Sequence, residues 1–165
     1  CGSPVPLIMY HFKSKQGLWE AAIGLLFERV EKRLSEEMKA LDGLSGLDFY
    51  KAAIRAHIRT LAAYPEHMHV LVQEGAERTE RLEWLIATHQ KPFNDQIVAL
   101  IEAAQDEGLI ARGDPEHLKF VLSGAFSLPI ILAPEYAIMT GRDALDDHQI
   151  EAHIDACLAL ILKPA

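Results

Sequence analysis

The stretch Leu7-Ile8-Met9-Tyr10-His11-Phe12-Lys13-Ser14-Lys15-Gln16-Gly17-Leu18 decides how this chain is read. An apolar and aromatic run gives way to Lys-Ser-Lys, and a long amphipathic pattern begins. Ser14 is placed to cap a helix through its hydroxyl. After it, Leu18, Trp19, Ala22, Ile23, Leu26, Phe27, Val30, Leu34, Met38 and Leu41 fall on one broad stripe at helical spacing. The pattern predicts a helix from Lys15 to about Leu41, with a basic start and an apolar inner face.

Working outward, nearly every segment reads as helix. None shows sustained two-residue alternation, and the breaks are glycines and prolines. Asp42-Gly43-Leu44-Ser45-Gly46 is a loop. Asp48 is placed to cap a second helix that stops at Pro65, with Tyr50, Ile54, His57 and Ile58 on its face. A short helix from Pro65 ends at Gly75. The next pattern runs from Thr79 to Glu107 and contains Pro92, which lacks a backbone donor, so a kink is expected there. Asp114-Pro115 reads as cap and first-turn proline of a further helix that bends or breaks around Pro129. Asp146 and Gln149 form a capping-box-like pair before a last helix carrying Ile150, Ile154, Cys157, Leu158 and Ile161.

Charge separates the ends of the chain. Residues 1–15 hold Lys13 and Lys15 and no acid, so the other 14 basic and 24 acidic residues leave a body of net −10 within a total of −8. Such a body repels phosphate, and any contact with nucleic acid falls to the basic start. The two cysteines, Cys1 and Cys157, make no disulfide framework or metal quartet, which suits a reducing, cytoplasmic setting. The longest uncharged run, Phe120 to Pro134, is 15 residues, too short to span a bilayer, and no membrane association is expected.

The junction Gly2 to Leu18, followed by this order of helices, resembles the TetR family of transcriptional regulators. The resemblance implies an all-α regulatory bundle with a long connecting helix, a triangle of helices around a pocket, and dimerisation through the two C-terminal helices. It implies that residues 1–13 are the end of a helix-turn-helix domain and 14–165 the ligand-binding and dimerisation domain. On that correspondence Val5 and Leu7 face the major groove, Tyr10 and His11 lie nearer the phosphates, and Lys13 and Lys15 meet the DNA backbone. A chain starting at Cys1 would then begin partway through the DNA-binding domain.

The expected function is that of a ligand-responsive regulator, a repressor released from operator DNA by a small hydrophobic or amphipathic molecule. The alternative is a helical dimerisation or adaptor module without DNA activity. Inward-facing Phe27, Tyr50, Ile54, His57, Ile58, Trp84, His89, Phe93 and Phe120 are the candidate ligand-binding residues, mostly apolar with a few polar groups. Leu118, Val121, Leu122, Ala125, Phe126, Ile150, Ile154, Cys157, Leu158 and Ile161 are the candidate homodimer interface. No nucleophile elbow, phosphate loop or zinc-helix motif is present, so neither enzyme activity nor a cofactor is expected. His67 and His69 stand two apart, the wrong spacing for one helical face, and no metal site is expected.

Overall fold

Ser14 opens the first helix as its position suggests: its hydroxyl oxygen accepts the Gly17 amide at 2.9 Å, and α1 runs Lys15–Lys39. The chain turns sharply just before it. Lys13 has φ of +61°, and the Ser14 amide donates to the Phe12 carbonyl at 2.7 Å. A Cβ on Gly17 would meet that same carbonyl oxygen at 2.4 Å, so only glycine admits the approach. The computed structural model describes residues 12–163, and every regular element among them is helical.

The second helix, α2, spans Gly46–Ala63. It begins earlier than expected: Ser45, not Asp48, is the cap residue, and Asp48 instead sits in the first turn, where its charge favours the helix dipole. Pro65 starts α3, Pro65–Gly75. Thr79 caps α4, Glu80–Leu85, its hydroxyl accepting the Leu82 amide at 3.2 Å.

The expected kink at Pro92 takes a particular form. Ile86–Gln90 is one π-helical turn between α4 and α5, Lys91–Asp106. The Lys91 amide reaches back to the Ile86 carbonyl, five residues away rather than four. This wider turn accommodates a proline ring and its missing donor without breaking the helix.

Asp114 caps α6, Pro115–Ile131, by accepting the His117 amide at 3.0 Å. The bend expected at Pro129 is displaced: α6 continues past it, and α7, Ala133–Thr140, leaves at 66° after Leu132. Pro129 cannot bond the Ala125 carbonyl one turn back. Neighbouring side chains from α8, Asp147–Ile161, approach that region: Cys157 Sγ lies 3.8 Å from the Ala125 carbonyl, and His153 Nε2 lies 3.1 Å from that of Phe126. Asp146 caps α8 through the His148 amide, whereas Gln149 accepts the Tyr136 hydroxyl at 3.1 Å and takes no part in the cap.

Helices α2 and α6 form the middle of the bundle. Ile58 and Leu61 of α2, Phe126 and Ile130 of α6, and Ile154 and Cys157 of α8 make one buried cluster. Arg59 and Arg55 of α2 hold Glu151 of α8 at the cluster's edge and keep its carboxyl below the usual range. Such exposed pairs add little stability, so the apolar cluster dominates this contact. A second cluster holds Tyr50, Ile101, Ala104, Ile110 and Leu162; a third joins Ile23 and Phe27 of α1 to Leu85 of α4.

These clusters correct the assignment of part of the α6 and α8 stripes to a dimer interface. Phe126, Ile154 and Cys157 are buried within the chain, and Leu118, Leu122, Ile150, Leu158 and Ile161 pack against its core. They are engaged in holding α8 to α2 and α6. Ala125 is half-buried and Val121 exposed; Leu128 and Leu160 are the large apolar side chains turned outward beside them. No single helix among the described residues is long and apolar enough to cross a membrane.

Ile154 has no exposed surface, whereas Leu160 is 80% exposed on the same helix. Ile154→Ala should lower unfolding free energy by about 2–5 kcal/mol. Leu160→Ala should change the chain's own stability by no more than about 0.5 kcal/mol. Urea titrations of both variants check the assignment; comparable losses would contradict it.

Candidate functional site

Four helices make an incomplete ring. α1 packs on α2, α2 on α6, and α6 on α5, and the C-terminal half of α1 faces α5 across a gap. The gap is a cavity of about 560 Å³. Its walls are Leu34 and Met38 of α1, Ala53 and Ile54 of α2, Phe93, Ile97 and Leu100 of α5, and Leu122 of α6. Tyr50, Ile101, Ala104, Ile110 and Leu162 close its floor as the buried second cluster. Glu31 and Ser35 on α1 face Thr88, Pro92 and Gln96; all are exposed and form the rim.

Of the candidate ligand residues, Tyr50, Ile54, His57, His89 and Phe93 line this cavity. Phe27, Ile58, Trp84 and Phe120 do not. Phe27 is packed between the His67 and His89 rings, with centroids at 4.5 and 4.9 Å. Ile58 is on the α8 side of α2, and Trp84 packs beside the α1–α4 cluster. Phe120 is 67% exposed and lies under the Lys119 ammonium instead. The inward stripe of α6 lies one position away from Phe120: Lys119, Leu122, Ser123 and Phe126 form the face that meets the cavity. Lys119 and Ser123 stand one turn apart there. That i, i+4 spacing within an otherwise apolar run was the available signal for them.

The polar groups differ in how far the protein already occupies them. His89 Nδ1 lies 3.4 Å from Glu31 Oε1, so this imidazole links the π-helical turn to α1. His57 stacks on Phe93 with centroids 6.0 Å apart and meets Phe126 edge-on at 5.9 Å. Neither of its nitrogens has a hydrogen-bond partner among the described residues. The ring is half-buried and lines the cavity. Burial first, and the Lys119 charge second, lower its pKa to about 4. The ring is therefore neutral near pH 7 and keeps one donor and one acceptor. Lys119 is half-buried, and burial lowers its own pKa; its acidic neighbour is Glu116, on the same helix. Burial and the adjacent Glu107 raise the Tyr50 hydroxyl.

His67 and His69 diverge as their spacing requires. His67 is buried against Phe27, while exposed His69 lies 3.1 Å from the Ile131 carbonyl. Among the described residues no group of three or more His, Cys, Asp or Glu side chains has the arrangement of a metal site. Of the candidate DNA contacts, Lys13 and Lys15 are exposed at the start of α1; Val5, Leu7, Tyr10 and His11 lie outside the described residues.

No protein-family model matches the chain, and no curated protein matches it. A solved structure described as a protein with unknown function from Rhodococcus sp. RHA1 shares the fold. It superposes with a TM-score of 0.67 at 19% identity, covering 98% of this chain and 80% of that one. At this identity the likeness concerns the fold alone.

His67 is also held neutral, with its pKa lowered to about 4 by burial and then by His57 and His89. Unfolded imidazoles titrate near 6.5. Between pH 6.5 and 4 the unfolded chain binds protons that the folded chain refuses, so stability falls as pH drops through that window. The loss should reach a few kcal/mol, at about 1.4 kcal/mol per unit of pKa lowering for each ring. Urea midpoints at pH 7 and pH 5 measure it. His57→Leu should flatten the dependence; an unchanged slope would show that His57 is not the suppressed base.

Proposed function

We propose that this chain is the ligand-sensing and dimerising part of a one-component transcriptional regulator of the TetR type, a repressor released from operator DNA by a small hydrophobic or amphipathic molecule. The observation that carries the reading is the double role of α1. Its N-terminus bears Lys13 and Lys15, exposed, beside helix amides that favour phosphate. Its C-terminal half contributes Leu34 and Met38 to the cavity wall. The two ends are about 30 Å apart at 1.5 Å per residue, joined by one uninterrupted helix.

A second connection runs beside it. The π-helical turn lines the cavity through Thr88 and His89. His89 packs on Trp84 at 5.5 Å, and Trp84 packs on Trp19 of α1 at 5.6 Å. Arg81 covers Trp19 and donates to Gln16 at 3.0 Å, one residue from Lys15. A molecule that displaces the turn would reach the basic end through packed rings. It would shift DNA affinity only by its difference in affinity between the two arrangements of α1.

The same reading takes a second copy of the chain as partner. Val121, Leu128 and Leu160 leave an apolar face on α6 and α8, with Gly124 and Ala156 between them. Small residues permit close helix approach, and two copies related by a two-fold axis would set two basic ends at a fixed separation.

Duplex selection from a random pool, using the protein encoded by the whole gene, tests this reading. The expected product is a two-fold symmetric site. Lys15→Ala should weaken binding to all sequences alike, because a phosphate contact carries no base information. Leu128→Glu should abolish dimerisation and tight DNA binding together. Failure to enrich any duplex, or tight binding by a monomeric Leu128→Glu protein, would overturn the proposal.

A further inference from the structure

The sign of charge inside the cavity narrows what it takes. The carboxylates near it stand at its edges: Glu31 on the rim, already linked to His89, Glu107 behind the Tyr50 hydroxyl, and exposed Glu116, which acts on Lys119 without forming an ion pair with it. The inner polar end is different. Lys119 lines the α6 wall with its ammonium over the exposed Phe120 ring and its charge felt at His57, Ser123 stands one turn further along, and His57 lines the α2 side with both ring nitrogens unpartnered among the described residues. Ile54, Ile97 and Leu100 continue the wall away from this corner.

We propose that the cavity binds an amphipathic carboxylate, its head group held between Lys119 and His57 and its apolar part laid against Ile54, Ile97 and Leu100. The inference rests on the ligand-sensing reading above and adds the chemistry of the ligand. A carboxylate accepts hydrogen bonds without donating any, and this corner offers donors: the ammonium, the neutral imidazole N–H and the Ser123 hydroxyl. A half-buried ammonium without a paired carboxylate gains a charge-assisted bond from such a head. A cationic ligand would be repelled by Lys119. A doubly charged phosphate would find one cation in a mostly apolar wall. The burial that keeps His57 neutral also preserves its acceptor nitrogen, which Lys119 or Ser123 can satisfy once the ligand is seated.

Calorimetric titration with octanoate, 1-octanol and n-octylammonium separates the claims. These probes share a chain and differ at the head. Wild type should bind octanoate about tenfold more tightly than 1-octanol, the gain expected of one charge-assisted hydrogen bond, and n-octylammonium least. 1-Octanol should displace octanoate, since both occupy one site. Lys119→Met should remove the preference without weakening 1-octanol, and Lys119→Glu should invert it in favour of n-octylammonium. Lys119 is half-buried and outside the core clusters, and circular dichroism checks that both variants fold. Equal binding of octanoate and 1-octanol by wild type, or an octanoate preference that survives Lys119→Glu, would overturn the carboxylate assignment and leave the ligand-sensing reading standing. No binding of any of the three would remove both.

Discussion

Pro92 has no amide hydrogen, and much of the structure's functional geometry follows from where that deficit falls. In a straight α-helix its ring would collide with the preceding turn and leave a carbonyl without its bond. The chain widens that turn instead, so that Lys91 bonds to Ile86 and Thr88 and His89 are carried to the cavity. α4 can then stay clamped to the N-terminal half of α1, while α5 follows α6. The space between α5 and the C-terminal half of α1 is left open. One imide nitrogen thus separates a packed half of the bundle from a hollow half.

The hollow half has apolar walls and a polar corner, and the packed half reaches the basic start of α1. That combination is what the proposed sensor requires. His57 lines the open space with neither ring nitrogen partnered among the described residues, so a bound molecule can use them. The Glu31–His89 contact bridges α1 and the turn at the cavity's rim. His89 also belongs to the ring sequence that ends at Trp19, reaching it through Trp84.

The sequence made the helices legible because their punctuation is local chemistry. Ser14, Thr79, Asp114 and Asp146 each act as caps, and Gly108 and Gly141 take positive φ at helix ends. The cavity's place beside Pro92, and Tyr50, Ile54, His57, His89 and Phe93 on its wall, followed from helical stripes and a proline. The failures share one cause. A stripe of apolar residues on α6 or α8 gives no indication whether it meets its own chain or another, so Phe126, Ile154 and Cys157 were placed at an interface when they hold α8 to the core. Lys119 is not legible in the sequence, because a lone cation beside an apolar run reads as a surface residue. Its significance came only from the fold, which brings it opposite His57 from a helix far away in sequence.

On the proposed mechanism, occupancy of the cavity is felt at the basic end of α1. Hydrogen exchange of the folded protein with and without octanoate tests it most directly, because backbone amides report each segment separately. Exchange should slow in the π-helical turn Ile86–Gln90 and change in the same titration over the first turns of α1, around Lys15 to Trp19. Slowing along the cavity wall with no change at those first turns would contradict the claim, since the ligand would then be bound and the basic end indifferent to it.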